Sequence, residues 1–69
     1  MTTKEAIENT MRRFPAARQT AVENVAISWS KDDGMANALN LEQDRRLYGW
    51  SMDTVHAIRH VMTLLAMPH

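Results

Sequence analysis

Apolar residues recur along the chain with the three- and four-residue spacing of α-helices. No stretch alternates with period two for long enough to predict a strand. Thr2 and Glu5 match the Thr-x-x-Glu capping box and predict a first helix that begins near residue 3 and ends before Pro15. The apolar stripe of this helix consists of Ile7, Met11 and Phe14.

Turn and capping residues divide the middle of the chain into three further helices. A second helix is predicted over about 15–29, with Pro15 in its first turn. Ser30 is predicted to cap a short third helix. A fourth helix over 41–48 is closed by Gly49 as a left-handed C-terminal cap. The predicted buried face of the second helix consists of Ala21, Val22, Val25 and Trp29.

The last helix, capped by Ser51 or Asp53 and running over about 52–67, carries two adjacent apolar rows. The first row is Val55, Ile58, Met62 and Leu65, and the second is Ala57, Val61 and Leu64. A helix that is apolar over this much of its circumference is buried on more than one side. We therefore expect one row to face the core and the other row to face a partner, which is either another protein or a second copy of the chain. The alternative is a central helix in a monomeric bundle. The fold class is all-α: a compact bundle of four to five short helices in a single domain, 1–69, with a long C-terminal helix.

Composition narrows the function classes. The chain has 69 residues and no cysteine, so disulfides, thiolate metal sites and thiol nucleophiles are excluded. Eight basic residues balance eight acidic ones, whereas proteins that bind nucleic acid or anionic membranes usually carry a basic excess. Residues 1–14 lack the apolar segment of a signal peptide, and the longest mostly apolar run, 61–67, is too short to span a bilayer. We expect a cytoplasmic protein without membrane contact.

Candidate chemistry is sparse. No nucleophile motif and no glycine-rich phosphate loop is present, so we predict that the chain is not an enzyme and needs no cofactor. Asp53, His56 and His60 fall on one helical stripe, and the two histidines have the spacing of a metal clamp. Ala57 stands where a zinc protease has its glutamate, and closed zinc geometry needs further ligands. We therefore predict a polar face and no metal site.

Residues 41–60 resemble a helix-turn-helix. Gly49 occupies the turn, Ser51 caps the second helix, and Val55 and Ile58 stand at its anchoring apolar positions. Arg45 departs from the family pattern, which has a small residue there. The resemblance implies a dimeric DNA-binding transcriptional regulator that uses residues 41–66. Its DNA contacts are implied at Arg45, Arg46, Thr54, His56 and Arg59.

The sequence favours a different function, a small protein–protein interaction module. It is predicted to act as a regulator, inhibitor or adaptor that occludes a partner's surface through its C-terminal helix, and to form a homodimer. The predicted contact residues are Tyr48, Trp50, Val61 and Leu64, with Arg45, Arg46 and Arg59 as a charged rim. Helix-turn-helix DNA binding is the alternative, with nucleic acid as the second choice of partner.

Overall fold

A computed structural model of the chain describes residues 2–31 and 41–67, with side chains from residue 43 onward in the second range. Four helices account for most of this part: α1 (Thr3–Arg13), α2 (Gln19–Lys31), α3 (Leu41–Tyr48) and α4 (Met52–Ala66). No strand is present within these two ranges, which agrees with the predicted all-α class. The short third helix predicted after Ser30 falls mainly on residues outside the two ranges.

Helix α1 begins and ends for local reasons. The Thr2 side chain accepts a hydrogen bond from the Glu5 N–H, and the Glu5 carboxylate accepts one from the Thr2 N–H, which completes the predicted capping box. At the other end Phe14 leaves the helical region, with φ −126° and ψ 69°. Proline disfavours the helical conformation of the residue before it, so Pro15 explains where α1 stops.

Helix α2 starts four residues later than predicted. A turn intervenes in which the Ala17 N–H donates to the Phe14 carbonyl at 3.0 Å, and helical bonding begins only at the Arg18 carbonyl. The Arg18 N–H donates to Thr54 Oγ1 on α4 at 2.9 Å. Residues 15–18 contain none of the side chains that usually cap a helix. The start of α2 is therefore fixed by a contact from another helix.

The end of α2 also differs from the prediction. Ser30 lies inside the helix, and its hydroxyl donates to the Ala26 carbonyl at 3.1 Å. The predicted role of Ser30 as an N-terminal cap is therefore wrong, because its side chain turns back onto its own helix. Trp29 is half-buried, and Ala26 takes the fully buried position on this face.

Helix α4 is the central element of the core. It packs against both α1 and α2, which also pack on each other. Both of its apolar rows point into the chain, with Ile58, Ala57 and Val61 fully buried. Val61, predicted as a partner-binding residue, is core instead, since the two neighbouring helices cover it completely. Met62, Leu64 and Leu65 are half-buried at the edge of the same core.

Small side chains let α1 approach the core closely. Ala6 and Thr10, one turn apart, are fully buried. The predicted stripe of larger residues, Ile7, Met11 and Phe14, is half-buried beside them. Close helix contacts favour small residues at the crossing, and the larger side chains then pack along the sides.

The connection from α3 to α4 is tightly specified. Gly49 has a φ of +68°, and the Trp50 N–H donates to the Arg45 carbonyl at 3.0 Å, the pattern of a Schellman C-cap. The Ser51 side chain then accepts from the Thr54 N–H at 3.2 Å and caps α4. The Gly49 cap was predicted, Ser51 was one of the two predicted caps of α4 beside Asp53, and α4 ends within one residue of its predicted bound. In the described part of the chain, no helix is long and apolar enough to cross a membrane.

Candidate interaction surface at the corner between the third and fourth helices

Large apolar side chains are exposed at the corner formed by residues 47–52. Leu47 is 69% exposed, Tyr48 57% and Met52 53%. Elsewhere in the described part of the chain only Ile27 and Met67 are large hydrophobic residues with comparable exposure. Three of these five side chains thus fall within six consecutive residues, so exposed large hydrophobic residues of the described part of the chain are concentrated at this corner.

Contacts with the core and with Arg18 hold the backbone of the corner in place. Trp50 is buried in the core cluster, and the Tyr48 ring stacks on it with 5.4 Å between ring centroids and 28° between planes. The Arg18 guanidinium donates to the Tyr48 carbonyl at 3.2 Å through Nη1. With the two helix caps, these contacts fix the backbone on both sides of the exposed side chains.

Arginines flank the corner. Arg46 is exposed and Arg45 half-buried, and both make further interactions within the chain. On α4, Met52, His56 and Arg59 are all exposed and lie at the i, i+4, i+7 positions of one helix face. This face carries the exposed surface from the corner toward the middle of α4.

The predicted partner-binding residues divide between surface and interior. Tyr48, Arg46 and Arg59 are exposed, whereas Val61 and Trp50 are buried. Leu64 and Arg45 are half-buried. The structure thus brings Tyr48 and the arginines to the surface but assigns the second apolar row of α4 to the core.

The implied DNA-contact residues divide in the same way. His56 and Arg59 are exposed on α4, but Thr54 is 1% exposed. Its hydroxyl bonds the Arg18 amide and lies 3.0 Å from Ser51 Oγ. Thr54 therefore does not face a DNA groove, and its implied role as a base contact is wrong. Helices α3 and α4 are also not among the closely packed helix pairs, as expected where Arg45 replaces a small residue.

His60 is half-buried against α1 instead of lying on an open polar face. Its Nε2 lies 3.1 Å from Asn9 Oδ1 on α1, and its ring meets Phe14 edge to face with centroids 5.7 Å apart. Burial, and then the nearby charge of Arg13, lower the pKa of His60. His56 points outward instead, so the predicted stripe is split. Within the described ranges no three histidine, aspartate or glutamate side chains converge on a possible metal position.

A groove of about 340 Å³ lies between α2 and α3, beside the corner. Tyr48 and Trp50 form one wall and Ala21 and Val25 contribute its apolar surface, with polar side chains along α2. Asp44 also lines it. The groove and the exposed corner share Tyr48, so the two surfaces adjoin at this residue.

Three residues that shape this region were not among the predicted partner-binding residues: Leu47 and Met52, which are exposed, and Arg18, which fixes the Tyr48 carbonyl. A signal for Leu47 was available. In α3 it has no apolar neighbour three or four residues before it, so no helical stripe accounts for it. The role of Arg18 depends on a contact across 30 residues and left no local signal.

No protein-family model, curated protein or solved structure matches the chain.

Proposed function

We propose that the chain is a small protein–protein interaction module whose docking surface is the corner of residues 47–52. The observation that carries this proposal is the concentration of exposed Leu47, Tyr48 and Met52 on a rigid turn. In this proposal the corner and the exposed face of α4 cover a surface of the partner, and the module acts as a regulator, inhibitor or adaptor by that occlusion.

The residue types at the corner support a protein partner. The centres of protein interfaces are enriched in aromatic residues, methionine and arginine and depleted of other charged residues. The corner presents Tyr48 and Met52 with Leu47, and Arg46 and Arg59 flank them. Tyrosine and arginine are also common among the few residues that dominate binding free energy.

Rigidity supports the same proposal. Ordering flexible side chains and loops on binding lowers affinity. At the corner the Schellman cap, the Ser51 cap and the stack of Tyr48 on Trp50 hold the backbone and the aromatic ring before any partner arrives. Much of the binding free energy of the exposed side chains is therefore retained.

Two further predictions from the sequence concern the identity of the partner. A homodimer, in which the corner meets a second copy, remains a prediction that sedimentation velocity tests. DNA binding by residues 41–66 also remains a prediction, supported by exposed His56 and Arg59 but weakened by the burial of Thr54 and the balanced charge. DNA binding predicts affinity that falls steeply with salt, whereas docking through apolar side chains does not.

The test is affinity capture of the tagged chain from a bacterial lysate, with and without nuclease, across a salt series. Wild type is compared with Leu47→Ser, Met52→Ser and the matched control Ile27→Ser, an exposed hydrophobic residue outside the corner. Full burial of a leucine or methionine side chain is worth about 1.5–3 kcal/mol, a change in Kd of about tenfold to a hundredfold.

We expect a stoichiometric protein that is retained after nuclease and high salt, lost with both corner variants and kept with Ile27→Ser. All three variants should melt like wild type, because each side chain is already exposed. Equal capture by the corner variants and wild type contradicts the proposal. Recovery of DNA that disappears with nuclease or salt favours the helix-turn-helix instead.

A further inference from the structure

The groove between α2 and α3 has two polar rows facing each other across an apolar surface. On α2, Thr20, Asn24 and Ser28 recur every four residues, so they follow one another along one face. On α3, Asp44 and Tyr48 have the same four-residue spacing. The volume of about 340 Å³ is enough for one large side chain and its neighbouring backbone.

The groove is lined by one charged side chain of each sign, Arg18 and Asp44. Arg18, just before α2, donates to the carbonyl of Tyr48 at the C-terminal end of α3. Asp44 lies one turn before Tyr48 on α3 and also lines the groove. Among the residues that the structure describes, no side chain forms a hydrogen bond or ion pair with the half-buried Asp44 carboxylate. Within the described residues, the Asp44 end of the groove therefore presents a carboxylate that no side chain pairs with.

The aromatic ring of Tyr48, one helical turn after Asp44, lines the same groove. The Tyr48 ring stacks on Trp50 through one face, and 57% of the residue remains exposed. A carboxylate one helical turn from an exposed aromatic ring fits a planar cation, because the cation can pair with the carboxylate while it stacks on the ring. The hydroxyl of Ser28 and the amide oxygen of Asn24 across the groove can accept its remaining N–H groups.

We propose that this groove receives an arginine side chain of the partner protein, whose guanidinium pairs with Asp44 and stacks on Tyr48. Arginine fits better than lysine because its flat group both forms two parallel hydrogen bonds to a carboxylate and lies against an aromatic face. That the arginine belongs to a partner protein rests on the proposed function. Charge complementarity selects this occupant over an acidic or purely apolar segment.

The test uses the full chain, labelled with ¹⁵N, and N-acetyl-L-arginine methylamide as the probe in an NMR titration. N-acetyl-L-citrulline methylamide has nearly the same shape without the charge and serves as the ligand control. The protein variants are Asp44→Asn and a matched control, Asp53→Asn, which removes an exposed carboxylate on α4 outside the groove.

We expect the arginine probe to shift amide signals in residues 18–28 and 43–50. Asp44→Asn should weaken binding about fivefold, equivalent to about 1 kcal/mol at 25 °C, as should the change from arginine to citrulline. Asp53→Asn should bind like wild type. Equal affinity for arginine and citrulline, shifts confined to other surfaces, or unchanged affinity in Asp44→Asn overturns the proposal.

Two comparisons separate this inference from the proposed function. If the corner variants lose the captured protein while Asp44→Asn keeps it and binds the probe normally, the groove proposal fails and the interaction module stands. If Asp44→Asn is the only variant that abolishes self-association in sedimentation velocity, the occupant is an arginine of a second copy. The assignment to a different partner protein is then overturned.

Discussion

Thr54→Val tests whether a side chain of α4 sets the start of α2. The Thr54 hydroxyl accepts the Arg18 amide hydrogen at 2.9 Å, lies 3.0 Å from Ser51 Oγ and is 1% exposed. Valine keeps the shape of the side chain but leaves that amide, and the serine hydroxyl, without this partner. Loss of one partner from a buried hydrogen bond costs about 1–3 kcal/mol. Because the Arg18 bond is only partly buried, we expect the lower end of this range.

The matched control is Thr10→Val. Thr10 is also a helical threonine and is fully buried, but no hydrogen-bond partner for its Oγ1 is present within the described residues. Replacing that hydroxyl with a methyl group removes an unsatisfied polar atom and should leave stability unchanged or raise it.

Thermal and urea unfolding followed by circular dichroism measure both variants. For a domain of this size about 1 kcal/mol shifts Tm by about 4–8 °C, so Thr54→Val should melt lower by that amount. Thr54→Ser, which keeps the hydroxyl, should lose less than Thr54→Val. Equal losses in Thr54→Val and Thr10→Val would refute the capping role, because the hydroxyls would then be equivalent.

Three further predictions concern the turn, the core and pH. Gly49→Ala should lower the free energy of unfolding by about 1–2 kcal/mol in urea, because alanine strains the backbone at the left-handed φ of +68°. The added methyl group meets no neighbouring atom, so no steric clash contributes. Gly49→Asn should lose less stability than Gly49→Ala. Val61→Asn should lower the free energy of unfolding by about 1.5–3 kcal/mol, the value of burying a valine side chain, and should reduce the helical circular-dichroism signal strongly. If Val61 were an interface residue, the same substitution would leave the helical signal intact. Because folding lowers the pKa of His60, the unfolded state binds a proton at a higher pH than the folded state does. The free energy of unfolding should therefore be highest above about pH 6.5 and fall as the pH drops toward the folded pKa. Arg13→Gln should raise the pKa of His60 in an NMR titration.

Local signals predicted the helix ends that depend on neighbouring residues. The Thr2–Glu5 capping box and the left-handed Gly49 each involve residues within a few positions and were predicted correctly, and Ser51 was one of two predicted caps of α4, beside Asp53. Spacing also predicted α4 within one residue of its end. These features follow from side-chain chemistry and backbone geometry that do not require the rest of the fold.

Long-range contacts explain what the sequence did not show. The start of α2 depends on Thr54, 36 residues away, so no pattern near Arg18 marks it. The close packing of α1 uses Ala6 and Thr10, which the apolar pattern did not single out. The two apolar rows of α4 were recognised, but whether the second row faces a partner or another helix depends on where α1 and α2 pack. For that reason Val61 was placed at an interface and lies in the core.

Methionine oxidation of the captured complex tests the docking corner most directly. Met52 at 53% and Met67 at 55% are almost equally exposed in the free chain, so they should form sulfoxides at similar rates with dilute peroxide. In the complex, mass spectrometry of the peptides should show Met52 protected and Met67 oxidised as before. Equal rates for the two methionines in the complex, or protection of Met67 alone, would contradict the assignment of residues 47–52 as the docking surface.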